Sequence, residues 1–360
     1  MRVLIAPDKF AGTLTAVEAA EAIAAGWRRH APDDELDLAP MADGGPGFVD
    51  VLHAALGGEL LAVTAEGPHG EQVPATVLRV GDVSYVETAQ VVGLHLIEGG
   101  AEFASTTGVA ELILAAVDGG ATTVVVGLGG SGTNDGGAGV LAGLGATSDG
   151  ILDSGAIALD TVSRVDLAPA RARLDGVRLI AATDVDNPLT GLFGATKTFG
   201  PQKGIGEDRI AEVDGWLESF AAATDRRTSL EKGAGAAGGI GFALLALGAT
   251  REPGIELVAA AVSLASRAAL ADLVITGEGA FDFSSRSGKV PYGVAGIASE
   301  ALRPCVALAG QVLVGSREMR ALGIESAYSL VDLVGEERAF AQPSEALSEL
   351  AARVARSWSR

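Results

Sequence analysis

The chain of 360 residues has one cysteine, four histidines and only 4% aromatic residues. A single thiol, Cys305, forms no internal disulfide, and in RPCVALAG it reads as a small core residue on a strand rather than a nucleophile. His69 falls in a turn and His95 in an apolar strand. Neither has a second histidine at ligand spacing, which argues against zinc. Basic residues are in deficit, 26 Lys and Arg against 46 Asp and Glu, for a formal charge of −20. Nucleic acid, whose phosphate backbone needs a basic face, is therefore not an expected partner. A nucleotide needs only a few local cations and stays open. No apolar run reaches the roughly 18 residues of a membrane span. MRVLIAPD enters a strand without a basic leader, so a cytoplasmic protein with no membrane partner is expected. Two phosphate-binding signatures are also missing. Before Gly288 and Lys289 the first Walker A glycine position holds Phe283 and the Ser/Thr position holds Val290, and there is no kinase HRD or DFG set.

What is present is a hydrophobic fraction of 48% with 50 glycines. At roughly 150 residues per domain the length suits two domains. The organising stretch is ATTVVVGLGGSGTNDGGAGVLAGLGA, residues 121–146. Its β-branched run reads as a buried strand, and its Ala- and Leu-rich end reads as a helix. Such a strand, glycine loop and helix start would offer backbone N–H groups to an anion. Asn134 and Asp135 add an amide and a carboxylate. The loop contains G-x-G-x-x-G, but the second strand ending in an acidic residue that a dinucleotide fold requires is not evident, so that reading is discounted.

Other loops repeat the theme. Residues 3–6 form a strand that delivers Asp8, Lys9 and Phe10, and Thr15 with Glu18 has capping-box spacing for the next helix. A second strand, 35–39, leads to PMADGGPGF and Asp43. From about residue 60 to 97 the alternation and turn signals predict antiparallel strands. There Glu87 and Gln90 could line a cleft, though nothing selects them. The strand 177–182 hands Asp184, Asp186 and Asn187 to a turn, a hard-oxygen set suited to Mg²⁺. Lys197 and Lys203 follow in GATKTFGPQKG, and Glu278 and Asp282 sit near Arg286 and Lys289. Three later strands, in DLVITG, PCVALAG and ESAYSLVD, join the first two as five parallel strands. The expected fold is α/β with two domains. Residues 1–60 and 262–360 make a flavodoxin-like parallel-sheet domain, and residues 61–261 an inserted α/β domain.

PDKFAGTLTAVEA, PMADGGPG, GLGGSGTNDGGAGVLAGLGA, DVDNPLTG, FGPQKG, GAGAAGGIGFA and ADLVITGEGAFD…GKVPYGVA, in that order, resemble the segments of bacterial type-1 glycerate kinases. The resemblance covers residues 7 to about 310 and implies phosphorylation of D-glycerate by ATP with Mg²⁺, the 2-hydroxyl being the expected acceptor. Pro46 stands where many relatives have an acidic residue, and Ala280 where many have arginine, so neither receives a role. The expected catalytic residues are Asp135 as first choice for the base, Glu278 as second, and Lys9 against developing charge. Asp184, with Asp43, is expected to hold Mg²⁺. Asp8, Asp43, Gly129, Gly130, Ser131, Asn134, Asn187, Lys203, Arg286 and Lys289 are expected to bind substrate or nucleotide. Alternatives are an NAD-dependent hydroxy-acid dehydrogenase, motivated by the glycine pattern alone, and a non-catalytic metabolite-binding regulator. The oligomeric state is open, a homodimer being one option.

Overall fold

A computed structural model describes residues 1–10, 12–282 and 289–359. The chain divides into two compact units, one of residues 1–43, 50–56 and 254–360, the other of residues 44–49 and 57–253.

The first unit opens with β1 (Arg2–Ile5), whose Val3, Leu4 and Ile5 are completely buried, the mark of a parallel strand covered on both faces. Thr15 then caps the helix Ala16–His30. The Glu18 N–H donates to Thr15 Oγ1 at 3.2 Å, and the Thr15 N–H donates to Glu18 Oε2 at 2.9 Å. That helix buries Ile23 and Trp27 and lies against the C-terminal helix Pro343–Trp358. The approach is close enough that a Cβ on Gly26 would collide with the Ser348 carbonyl. β2 (Glu35–Leu38) pairs parallel to β1.

The chain then builds the second unit. β3 (Glu59–Glu66), β4 (Gln72–Val80) and β5 (Val83–Glu87) form an antiparallel meander. β6 (Thr123–Gly127) joins β5 in parallel. The chain next passes the helix Ala138–Gly143 and a separate two-stranded ladder, β7 (Thr147–Ser148) with β8 (Val165–Asp166). β9 (Arg178–Ala182) pairs with β6, and β10 (Thr250–Glu252) with β9, both parallel. The strand after the glycine loop therefore lies outside the main sheet. That placement removes the element a dinucleotide fold needs beside β6.

The return to the first unit adds β11 (Leu273–Phe281), β12 (Cys305–Val312) and β13 (Ser326–Ser329). The five-stranded sheet has the order β13-β12-β11-β1-β2 and every pairing is parallel. Counted within the unit this is 5-4-3-1-2, the flavodoxin-like order, with its switch point between β1 and β11. Cys305 is fully buried on β12, and burial pushes its thiol up to about 12, which leaves it inert. Among the described residues no helix is long and apolar enough to cross a membrane.

Candidate active-site residues

In open parallel sheets, ligands meet the carboxyl ends of strands at the switch point. In the first unit that position is held by Asp8, whose N–H donates to the Gly277 carbonyl at 2.8 Å and so ties the end of β1 to β11. Thr276 Oγ1 adds a bond to the Ala6 carbonyl at 3.1 Å. Asp8 is only 5% exposed, and its Oδ1 accepts the Lys9 N–H at 2.7 Å and lies 3.4 Å from Lys9 Nζ. The same ammonium is 3.8 Å from Asp43 Oδ1. Burial, helped by the charge of Asp43 and opposed by Lys9, raises the Asp8 carboxyl to about 6. On β11, the buried Glu278 has Oε2 3.8 Å from Lys289 Nζ, which is also 3.8 Å from Asp282 Oδ1. Asp8, Lys9, Asp43, Glu278 and Lys289 thus share one sheet edge. A carboxyl that titrates near 6 beside an ammonium can exchange a proton under physiological conditions. Arg286 lies outside the described residues.

The second unit uses its predicted residues differently. Asp135 has no exposed surface. Its Oδ2 accepts the Thr106 N–H at 3.0 Å, the Thr106 hydroxyl at 2.8 Å and the Gly139 N–H at 3.2 Å. Its Oδ1 accepts the Gly137 N–H at 2.9 Å. Desolvation raises its carboxyl pKa, and these four donors oppose the rise. The Val140 N–H is also taken, by Thr106 Oγ1 at 3.1 Å. The expectation of a helix start open to an anion is therefore corrected. Those N–H groups are spent on Asp135 and Thr106, so Asp135 fastens the loop to the helix.

Elsewhere in the loop, Ser131 Oγ lies 2.9 Å from Thr133 Oγ1 and accepts the Thr133 N–H at 3.1 Å. Asn134 is buried and donates from Nδ2 to Thr196 Oγ1 at 2.9 Å. Lys203 is 3% exposed and donates from Nζ to the Thr133 carbonyl at 2.7 Å, with desolvation lowering it to about 8 and Asp135 pulling the other way. It stabilises the loop from inside the unit. Gly129 is half-buried and Gly130 exposed with φ of 68°, so the first two glycines form the open part. A Cβ on Gly129 would lie 2.6 Å from Gly45 Cα, a backbone approach that only glycine permits. Likewise, a Cβ on Gly238 would collide with the Thr133 carbonyl, which explains the second glycine run, GAGAAGGIG.

After β9, Asp184 is half-buried, while Asp186 is exposed and engaged by Lys232 Nζ at 2.9 Å and Arg251 Nη2 at 2.6 Å. Asn187 Nδ2 donates to the Phe193 carbonyl at 2.7 Å and to Thr198 Oγ1 at 3.2 Å, a turn-closing role. Two contributors had no sequence signal. Glu87 ends β5 and receives the Gly47 and Val49 N–H groups, each at 3.1 Å, so it holds the glycine segment that follows Asp43. Thr106, one residue before the helix Thr107–Asp118, anchors Asp135. In each case the partner lies 29 to 40 residues away in sequence.

Comparison with known proteins agrees with this architecture. A glycerate kinase of Halalkalibacterium halodurans is 39% identical, over 99% of this chain and 99% of its own length. A glycerate 2-kinase of Escherichia coli K12 is 38% identical, over 93% of this chain and 92% of its own. A crystal structure described as a candidate glycerate kinase 2 from Salmonella typhimurium LT2 superposes with a TM-score of 0.81 at 36% identity. That match covers 99% of this chain and 98% of the other. The profile of the Glycerate kinase family spans residues 3–359, and with relatives of this identity along nearly the whole length, the chain belongs to that family and is a kinase.

Proposed function

We propose that the protein is a cytoplasmic enzyme that transfers the γ-phosphoryl group of ATP to the 2-hydroxyl of D-glycerate, giving 2-phosphoglycerate and ADP. The observation that carries this reading is the Asp8–Lys9–Asp43 cluster beside Glu278 and Lys289 at the switch point of the first sheet. The name of the E. coli relative, a glycerate 2-kinase, supports the choice of hydroxyl.

Phosphoryl transfer requires little covalent chemistry from a protein. It needs in-line placement, cations against the charge on the transferring group and a carboxylate near the acceptor proton. In the reaction the glycerate hydroxyl oxygen bonds to the γ-phosphorus as the bond from phosphorus to the β,γ-bridging oxygen breaks. ADP leaves with that electron pair, and the hydroxyl proton passes to a carboxylate. With Asp135 committed to its four donors, Asp8 and Glu278 are the candidates to receive it, Asp8 first because it titrates near neutrality. Lys9 and Lys289 supply the cations, and Gly129 and Gly130 present the accessible backbone of the second unit, with Ser131 buried behind them. Asp43 in the first unit and Asp184 in the second each offer a carboxylate of the kind Mg²⁺ takes. Mg²⁺ is commonly held by one or two carboxylates plus phosphates and water. Mg²⁺ when bound would neutralise phosphate charge.

The test is ADP release with D-glycerate and ATP, with the product assigned by ³¹P and ¹³C NMR. Glycerate-dependent ADP is expected, with a ³¹P resonance split into a doublet by the single C2 proton. No glycerate-dependent ADP would reject the activity, and a triplet from the two C3 protons would reject the regiochemistry.

A further inference from the structure

We infer that a cavity in the first unit, at the carboxyl ends of β11 and β12, receives the purine base of the nucleotide; this rests on the kinase reading above. The cavity has a volume of about 190 Å³, and its walls include Phe10, Gly279, Gly310, Gln311, Val331 and Phe340. It is too small for a whole nucleotide, since drug-sized ligands occupy roughly 300–1,000 Å³. A planar bicyclic ring is the fragment of that reaction's ligands that matches it.

Chemistry narrows the occupant further. Among the described residues no charged side chain lines the cavity, so these walls offer no cation to the carboxylate of glycerate or to phosphate oxygens. Among the ligands of the proposed reaction only the base is uncharged, flat and aromatic. Phe10 is 2% exposed and forms a fixed wall, whereas Phe340 is 59% exposed at the edge. Such rings stack on bases whatever their sequence of polar atoms. Half-buried Gln311 carries an amide with both donors and acceptors, the complement of a purine edge.

Position agrees with chemistry. Lys9 directly precedes Phe10 in the chain, and Glu278 directly precedes Gly279 on β11. Gly279 and Gly310 meet so closely across β11 and β12 that a Cβ on Gly310 would collide with the Gly279 carbonyl. The absence of side chains at both glycines leaves the strand ends bare. A base seated there projects its sugar and phosphates from the same sheet edge that carries Lys9 and Lys289.

The experiment uses the full chain with two separate substitutions, Phe340→Ala to remove the exposed ring and Val331→Phe to fill the cavity. KM for ATP and KM for D-glycerate are measured, and adenosine binding is followed by saturation-transfer NMR. Loss of a base–aromatic contact should raise KM for ATP about tenfold with KM for glycerate within twofold, and adenosine transfer should weaken in both variants. Folded variants that keep the wild-type KM for ATP and bind adenosine unchanged would overturn the assignment. So would equal rises in both KM values. If the wild-type protein failed to phosphorylate glycerate, the kinase reading would fall on its own, and the adenosine signal would still decide the cavity.

Discussion

Asp8 is where stability and activity pull against each other. Its ordinary carboxyl value of 3.8 rises to about 6 because burial disfavours the charged form. The sign follows directly. The folded state holds the proton more tightly than the unfolded state, so the stabilisation is complete below about pH 4. It is lost as pH rises towards 6 and stays lost above. The rise corresponds to about 3 kcal/mol once the group ionises. Asp8→Asn, which cannot ionise, should therefore match wild type in urea unfolding near pH 3. It should exceed wild type by up to about 3 kcal/mol at pH 8, while turnover falls by about 10²–10⁴-fold. A stability gap that does not widen with pH would remove burial as the cause. The acid limb of kcat/KM should lie near pH 6 in wild type and move upward in Lys9→Met, because the ammonium is what restrains the Asp8 shift.

At the scale of the element, the glycine loop between β6 and the helix Ala138–Gly143 derives its shape from Asp135. In Asp135→Asn the amide NH₂ must face at least one N–H that the carboxylate accepted. A buried donor left unmatched costs about 1–3 kcal/mol. The variant should melt several degrees lower, and in the folded protein the single-turnover chemical step should slow by less than tenfold. A loss of 10²-fold or more in that step with unchanged melting would restore Asp135 as the proton acceptor. The same loop shows what a sequence can and cannot reveal. Its strand and helix were legible because β-branched runs and Ala/Leu patterning are local properties. So was the capping box of Thr15 and Glu18, three residues apart. The parallel sheet of the first unit was legible from alternating strand and helix texture. The work of Asp135 was not, because Thr106 lies 29 residues upstream, and an aspartate among glycines looks alike whether it faces a ligand or its own backbone. The internal bond of Lys203 is equally invisible in sequence. Its partner, the Thr133 carbonyl, is 70 residues away.

At the scale of the whole molecule, the two units face different entropic problems. In the second, the strand pairs β3–β4, β4–β5 and β5–β6 join neighbours in the chain, and a core from Ala65 to Ala249 forms within residues 57–253. In the first, β1 pairs with the nearby β2 on one side, but its other side is filled only when residues 273–275 arrive, with Val3 opposite Leu273 and the Arg2 N–H bonded to Asp272 across 270 positions. Closing a chain of that length costs entropy that grows with the logarithm of its length. Each doubling adds about 0.6 kcal/mol, and a middle that is already compact shortens the span to be closed. Folding of the second unit first therefore lowers the barrier for the first, and the reverse order gains nothing comparable. Pulse-labelling hydrogen exchange during refolding should protect the amides of β5, β6 and β9 before those of β1 and β11. Simultaneous protection of both sets, or earlier protection of Val3, Leu4 and Ile275, would show that the long-range closure does not wait for the middle of the chain. The slow partner would then have to be sought among the strands of the second sheet, where β9 pairs with β6 across the helices and the small β7–β8 ladder that separate them in the chain.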